Sequence, residues 1–125
     1  MSLCINGAPE FDPLSWANPS FKKFTEIRNP DPCRLFVFLE VQEDEIFDCN
    51  FGMPTLAIWG DVKTWWDIPA SRHSVGCGLS FGDGHAERHK WRVPKTFSGT
   101  LPQPVPDPEL PDYRWMQAGY RQSWN

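Results

Sequence analysis

Residues 71–91 read SRHSVGCGLSFGDGHAERHKW, and inside them Asp83-Gly84 separates two extended runs, 77–81 and 85–91. Asp-Gly between such runs is the strongest short-range hairpin signal, because a two-residue type I′ turn needs positive φ at both positions. The stretch therefore predicts a β-hairpin with Asp83 and Gly84 as its turn. Side chains alternate along a strand. On the second arm His85, Glu87 and His89 then share one face, and Ala86, Arg88 and Lys90 share the other. Both faces are polar, so this arm is expected at a sheet edge or facing solvent.

Outward from the hairpin, 34–41 is the best further strand. Its apolar run Leu35-Phe36-Val37-Phe38-Leu39 serves both faces, which places it centrally in a sheet. Residues 55–59 predict another strand. Ser20 can cap a short helix in which Phe21, Phe24 and Ile27 recur at helical spacing. Asn29-Pro30-Asp31-Pro32 stops it, since a residue before proline avoids the α region. Turn formers at Asn6-Gly7, Pro9, Pro13 and Asn18-Pro19 make 1–19 an irregular lead-in.

Beyond Pro94 the chain changes character. Pro102, Pro104, Pro106, Pro108 and Pro111 favour an extended polyproline arm. Met116, Tyr120 and Trp124 at four-residue spacing suggest a short helix docking back on the body. The organisation expected is one α+β domain over 1–125, built on an antiparallel β-sheet with a short helix. Its parts are the lead-in 1–19, a core 20–92, a Pro-rich arm 93–112 and an aromatic tail 113–125.

Composition bounds the function. The chain has 125 residues and a formal net charge of −4, and no Lys/Arg cluster exceeds a pair, which argues against a nucleic-acid partner. Its 13 prolines are about twice ordinary usage and imply little helix. Its longest apolar run is far short of the roughly 18–20 residues of a membrane helix, and no signal-peptide pattern precedes Cys4. Read alone, the chain is expected to be soluble. Cys4, Cys33, Cys49 and Cys77 show no CxxC spacing. Buried free thiols are the favoured reading, with a Cys33–Cys49 bridge as the alternative in an oxidising compartment.

His73, nine further residues and then Asp83-Gly84 resemble the His-x9-Asp-Gly motif near the C-terminus of bacterial pseudopilins and related prepilin-like proteins. The motif stands here in His73-Ser74-Val75-Gly76-Cys77-Gly78-Leu79-Ser80-Phe81-Gly82-Asp83-Gly84-His85. Phe24-Thr25-Glu26-Ile27-Arg28-Asn29-Pro30 with Arg34-Leu35-Phe36-Val37-Phe38-Leu39-Glu40 resembles a second segment of that group. Asp67-Ile68-Pro69-Ala70-Ser71-Arg72 resembles its lead into the motif, and Cys4-Ile5-Asn6-Gly7 a shorter stretch. The resemblance runs over about 4–92. It implies the globular head of a filament or type II secretion subunit, exported, with neighbouring subunits and assembly proteins as partners. In that group an N-terminal apolar helix supplies the inner-membrane anchor. The sequence carries no such helix, so it is expected to be the soluble C-terminal part of a longer protein.

Each candidate residue has competing readings. Asp83 and Gly84 are explained by turn chemistry. His73 is read as bracing the hairpin through its ring nitrogens. Alternatively His73, Asp83 and His85, with Glu87 or His89, could hold zinc or another metal of an enzyme. The acidic loop Glu43, Asp44, Glu45 and Asp48, with Glu40 and Asn50, offers oxygen ligands for calcium without EF-hand spacing. Calcium is known among major pseudopilins, so the resemblance adds to that option. Seven Trp could serve a glycan-binding module, but they read first as core filling in a Leu-poor chain. No nucleophile elbow or phosphate loop appears. The expected function is structural and non-enzymatic, with no required cofactor.

Overall fold

The computed structural model describes residues 2–4, 23–28, 30–42, 51–54, 60–72, 74–99 and 101–120. Its main element is a four-stranded antiparallel sheet of β1 (Ser2–Cys4), β2 (Phe36–Glu40), β4 (Gly76–Phe81) and β5 (Ala86–Lys90), in that spatial order. A two-stranded ribbon joins β3 (Thr64–Trp65) to β6 (Gln103–Pro104). One helix, α1 (Leu110–Ala118), closes the described chain. The fold is α+β, as the sequence predicts.

The apolar segment expected at 34–41 is β2, and it lies between β1 and β4. Its two buried aromatic and aliphatic anchors, Phe36 and Leu39, are three residues apart, whereas a regular strand buries every second side chain. A register irregularity between Phe36 and Phe38 accounts for this: the extra residue turns Phe36 inward and leaves Phe38 47% exposed. On β4 the buried Cys77, Leu79 and Phe81 alternate with half-buried Gly78 and Ser80. β5 is the sheet edge, and its polar alternation is the reason it tolerates that place.

Three expectations require correction. The irregular lead-in contains β1, which pairs Ser2, Leu3 and Cys4 with Glu40, Leu39 and Phe38. Where a helix over Phe21, Phe24 and Ile27 was expected there is one 3-10 turn, Phe24–Glu26, with Phe24 64% exposed. Residues 20–22 and the strand expected at 55–59 lie outside the described residues. The Pro-rich segment is not one extended arm: Gln103–Pro104 pairs with β3, Asp107–Glu109 forms a 3-10 turn, and α1 starts at Leu110. Pro111 fits the first turn of α1, where its missing N–H has no helical acceptor to lose.

The core lies between the sheet, the ribbon and α1. Tyr113 and Met116 on α1, and Tyr120 just beyond its end, are fully buried; the helix begins at Leu110 and stops at Ala118, earlier than the expected tail, and Trp124 lies outside the described residues. Trp115 packs its ring 5.1 Å from that of Phe36, and the Phe36 N–H donates to the Gly119 carbonyl at 3.0 Å. Trp65 meets Tyr113 edge to face at 5.1 Å and donates its indole N–H to Glu109 at 3.0 Å. Among the described residues no helix is long and apolar enough to cross a membrane.

Candidate functional site

The described part of the motif, 74–84, is laid out along a single strand with its flanking turns. Arg72 and Ser74, the described neighbours of His73, sit at the Gly76 end of β4, where Arg72 and Gly76 exchange backbone hydrogen bonds of 2.9 and 2.8 Å. Asp83 and Gly84 sit at the Phe81 end. At a rise of about 3.3 Å per residue, this six-residue strand separates the two ends by roughly 20 Å. His73 itself lies outside the described residues.

Both ends of β4 use unusual backbone. Before the strand, Ser74 and Val75 take φ of 66° and 63°. This is an uncommon choice for a β-branched residue. After it, the turn differs from the expected two-residue form. The Phe81 N–H donates to the His85 carbonyl at 2.9 Å, so the loop holds three residues, Gly82, Asp83 and Gly84. The Gly84 N–H closes a turn onto the Phe81 carbonyl at 3.0 Å, and Gly84 alone of the three has positive φ, at 92°. This is a three-residue hairpin loop ending in a left-handed glycine, which fits the twist of the arms as a primed turn does.

The Asp83 carboxylate belongs to this loop. Its Oδ1 accepts the His85 backbone N–H at 3.1 Å and the His85 ring N–H at Nδ1. Those side-chain and backbone hydrogen bonds hold the Asp83 carboxyl below its ordinary range. The His85 ring stacks on Phe81 with centroids 4.3 Å apart, and its Nε2 stands 3.7 Å from Glu87. His85, Glu87 and His89 share a face as expected, but they serve separate neighbours. His89 stacks on Trp115 at 3.6 Å and meets Trp91 edge to face at 4.9 Å. Burial there lowers its pKa, against the opposing pull of Asp112 and Glu87. Four residues of strand put His85 and His89 about 13 Å apart along the backbone. Among the described residues no group of three or more His, Cys, Asp and Glu could hold a metal.

The acidic loop Glu43, Asp44, Glu45 and Asp48, with Asn50, lies outside the described residues. Glu40 is described, and its carboxylate accepts the Gly78 N–H at 2.8 Å across the sheet. Cys33 is an exposed free thiol, which corrects the buried reading at that position; Cys49 is outside the described residues. Cys77 is buried as expected, and burial beside Glu40 pushes its thiol up to about 12. Trp65 and Trp91 are fully buried core residues, Trp66 and Trp115 are half-buried, and Trp16, Trp59 and Trp124 lie outside the described residues.

Sequence reasoning missed the polar lock beneath the helix. Asp112, 3% exposed, accepts the Arg92 N–H at 3.1 and 3.0 Å, the Val93 N–H at 3.4 Å and the Lys95 ammonium at 2.5 Å. The Lys95 side chain is fully buried, and its ammonium lies 5.0 Å from the Trp91 ring. Glu109 is also buried, and that burial raises its pKa despite the Trp65 hydrogen bond. The signal was partial: Asp112 shares one helical stripe with Tyr113, Met116 and Gln117, which is the buried face of α1.

No protein-family model matches the chain, and neither a curated protein nor a solved structure matches it.

Proposed function

We propose that this domain is the non-enzymatic head of a pseudopilin-like subunit, one that presents a rigid surface on an envelope filament or a type II secretion-like machine. The observation that carries the reading is the use made of Asp83, Gly84 and His85. Their polar groups and backbone close the β4–β5 hairpin, and the carboxylate is tied to the adjacent imidazole. A catalytic carboxylate and histidine would instead face a cleft with donors free for a substrate. The nine-residue spacer in the motif corresponds to the length of β4 with its flanking residues, so the motif measures a strand.

In this reading neighbouring heads and assembly proteins are the partners. An N-terminal apolar helix would provide the membrane attachment, and the head would lie on the extracytoplasmic side. Fractionating cells of the source organism with an antiserum against the domain tests it. Recovery with the envelope, and release of filament-borne protein by shearing, is expected. Recovery in the cytosol would exclude the reading.

A further inference from the structure

β5 is an edge of the main sheet, and its hydrogen-bond parity decides which backbone groups are open. At one end Trp91 donates to the Val75 carbonyl at 2.8 Å, and at the other the His85 carbonyl accepts from Phe81 at 2.9 Å. Antiparallel pairs alternate between bonded and non-bonded, so the odd-numbered residues from His85 to Trp91 turn their backbone groups to β4. The N–H and C=O of Ala86, Arg88 and Lys90 therefore point away from the sheet, and nothing among the described residues bonds to them. All three residues are exposed. Such a row is a template for one further strand.

The side chains of the same residues decide what that strand carries. The chain has a formal charge of −4, yet the Arg88 guanidinium and the Lys90 ammonium have no acid partner among the described residues. On their face the Glu40 carboxylate is taken by the Gly78 N–H at 2.8 Å, while Arg88 leans over Gly76. Glu87 lies on the other face, 3.7 Å from the His85 ring. Ala86 ends a row that crosses the sheet from Phe38 through Ser80. That row borders an open trough of about 450 Å³, floored by Gly78 and Ser80, with Phe38 as an exposed apolar wall. A bulky apolar side chain opposite Ala86 can reach over its methyl group into the trough. β5 is a poor partner for its own copy. Within it, every antiparallel register of three or more pairs opposes Glu87 with Glu87, Arg88 with Arg88, or Arg88 with Lys90. We propose that β5 binds an acidic, extended segment of a partner protein, added antiparallel as in the rest of the sheet. Its alternate residues are an acid opposite Lys90, an acid opposite Arg88 and an apolar residue opposite Ala86. The edge offers this site whether or not the domain serves a filament.

Acetyl-Thr-Glu-Thr-Glu-Thr-Leu-Thr-amide is the probe, titrated into the full chain while amide exchange is read residue by residue by NMR. Saturable binding is expected. At free peptide about ten times Kd, exchange at Ala86, Arg88 and Lys90 should slow roughly tenfold, with the bonded Glu87 and His89 amides unchanged. A peptide with Lys in place of both Glu should bind roughly tenfold more weakly, since two attractive cross-strand pairs become repulsive. N-methylation of both Glu and the Leu, whose N–H groups would face β5, should abolish binding. Arg88→Glu/Lys90→Glu should invert the preference in favour of the Lys peptide, which an unfolded variant would not do. No saturable binding, equal binding of the N-methylated peptide, or no preference between the Glu and Lys peptides would overturn the proposal. So would protection of the three amides without peptide that rises with protein concentration, which assigns the edge to a second copy.

Discussion

Lys95 and Asp112 form a buried ion pair, 2.5 Å between Nζ and Oδ2, that joins the segment after β5 to the first turn of α1. The pair is fully hydrogen-bonded, because Asp112 also takes the Arg92 and Val93 N–H groups and Lys95 also reaches the Val93 carbonyl. Desolvation makes such a pair a poor source of net stability but an expensive one to break. Lys95→Met is therefore expected to lose about 3–5 kcal/mol, read from urea unfolding. Lys95→Met/Asp112→Asn should recover part of that loss, since the amide oxygen still accepts from Arg92 and Val93 and no charge is left buried.

Gly119 ends α1 against the Phe36 ring. A Cβ there would stand 2.1 Å from that ring, while its φ of −86° suits any residue. Gly119→Ala thus carries an overpacking cost alone, expected at about 1–3 kcal/mol. Adding Phe36→Leu should relieve part of it in a double-mutant cycle.

Gly84 tests the opposite cause. Nothing lies within 4 Å of a Cβ built there, but its φ is 92°. Gly84→Ala should cost about 1–2 kcal/mol through backbone strain, and Gly84→Asn less, because Asn enters the left-handed region more readily. A larger loss for Asn than for Ala, by urea unfolding, would contradict this account of the turn.

The reach of the sequence is clear at these positions. The Asp-Gly pair, the polar alternation of 85–90 and the apolar run at 35–39 are local signals, and they located the hairpin, its edge and the central strand. The turn type was misread because pairing of Phe81 with His85 admits Gly82 as a third loop residue, and pairing register is a tertiary property. β1 was illegible because three residues form a strand only against β2, more than thirty positions away. Asp112 and Lys95 were illegible as partners because charged residues are read as solvated until a stripe of neighbours places them inside.

His89 gives a pH dependence with a definite sign. Burial under Trp115 depresses its folded pKa below the ordinary 6.5, so the neutral ring is the folded form. Its contribution is present above 6.5 and is lost as pH falls below that value, because the unfolded chain takes up the proton first. Urea midpoints should fall from pH 7 to pH 5, and His89→Phe should flatten the fall while keeping the stack. Asp83 acts with the same sign in a lower window, below its ordinary 3.8.

Thiol labelling separates Cys33 from Cys77. In a Cys4→Ser/Cys49→Ser background the exposed Cys33 should react promptly with a disulfide reagent, whereas the buried Cys77, with its thiol near 12, should wait for unfolding. Cys33→Ser should abolish the prompt phase.

The central claim is that Asp83, Gly84 and His85 shape a hairpin without holding an ion. Elemental analysis of the purified chain, after equilibration with zinc or calcium and removal of the excess, addresses it most directly. The account predicts metal far below one ion per chain, unchanged in His85→Ala. One tightly held ion per chain that disappears in His85→Ala would contradict it.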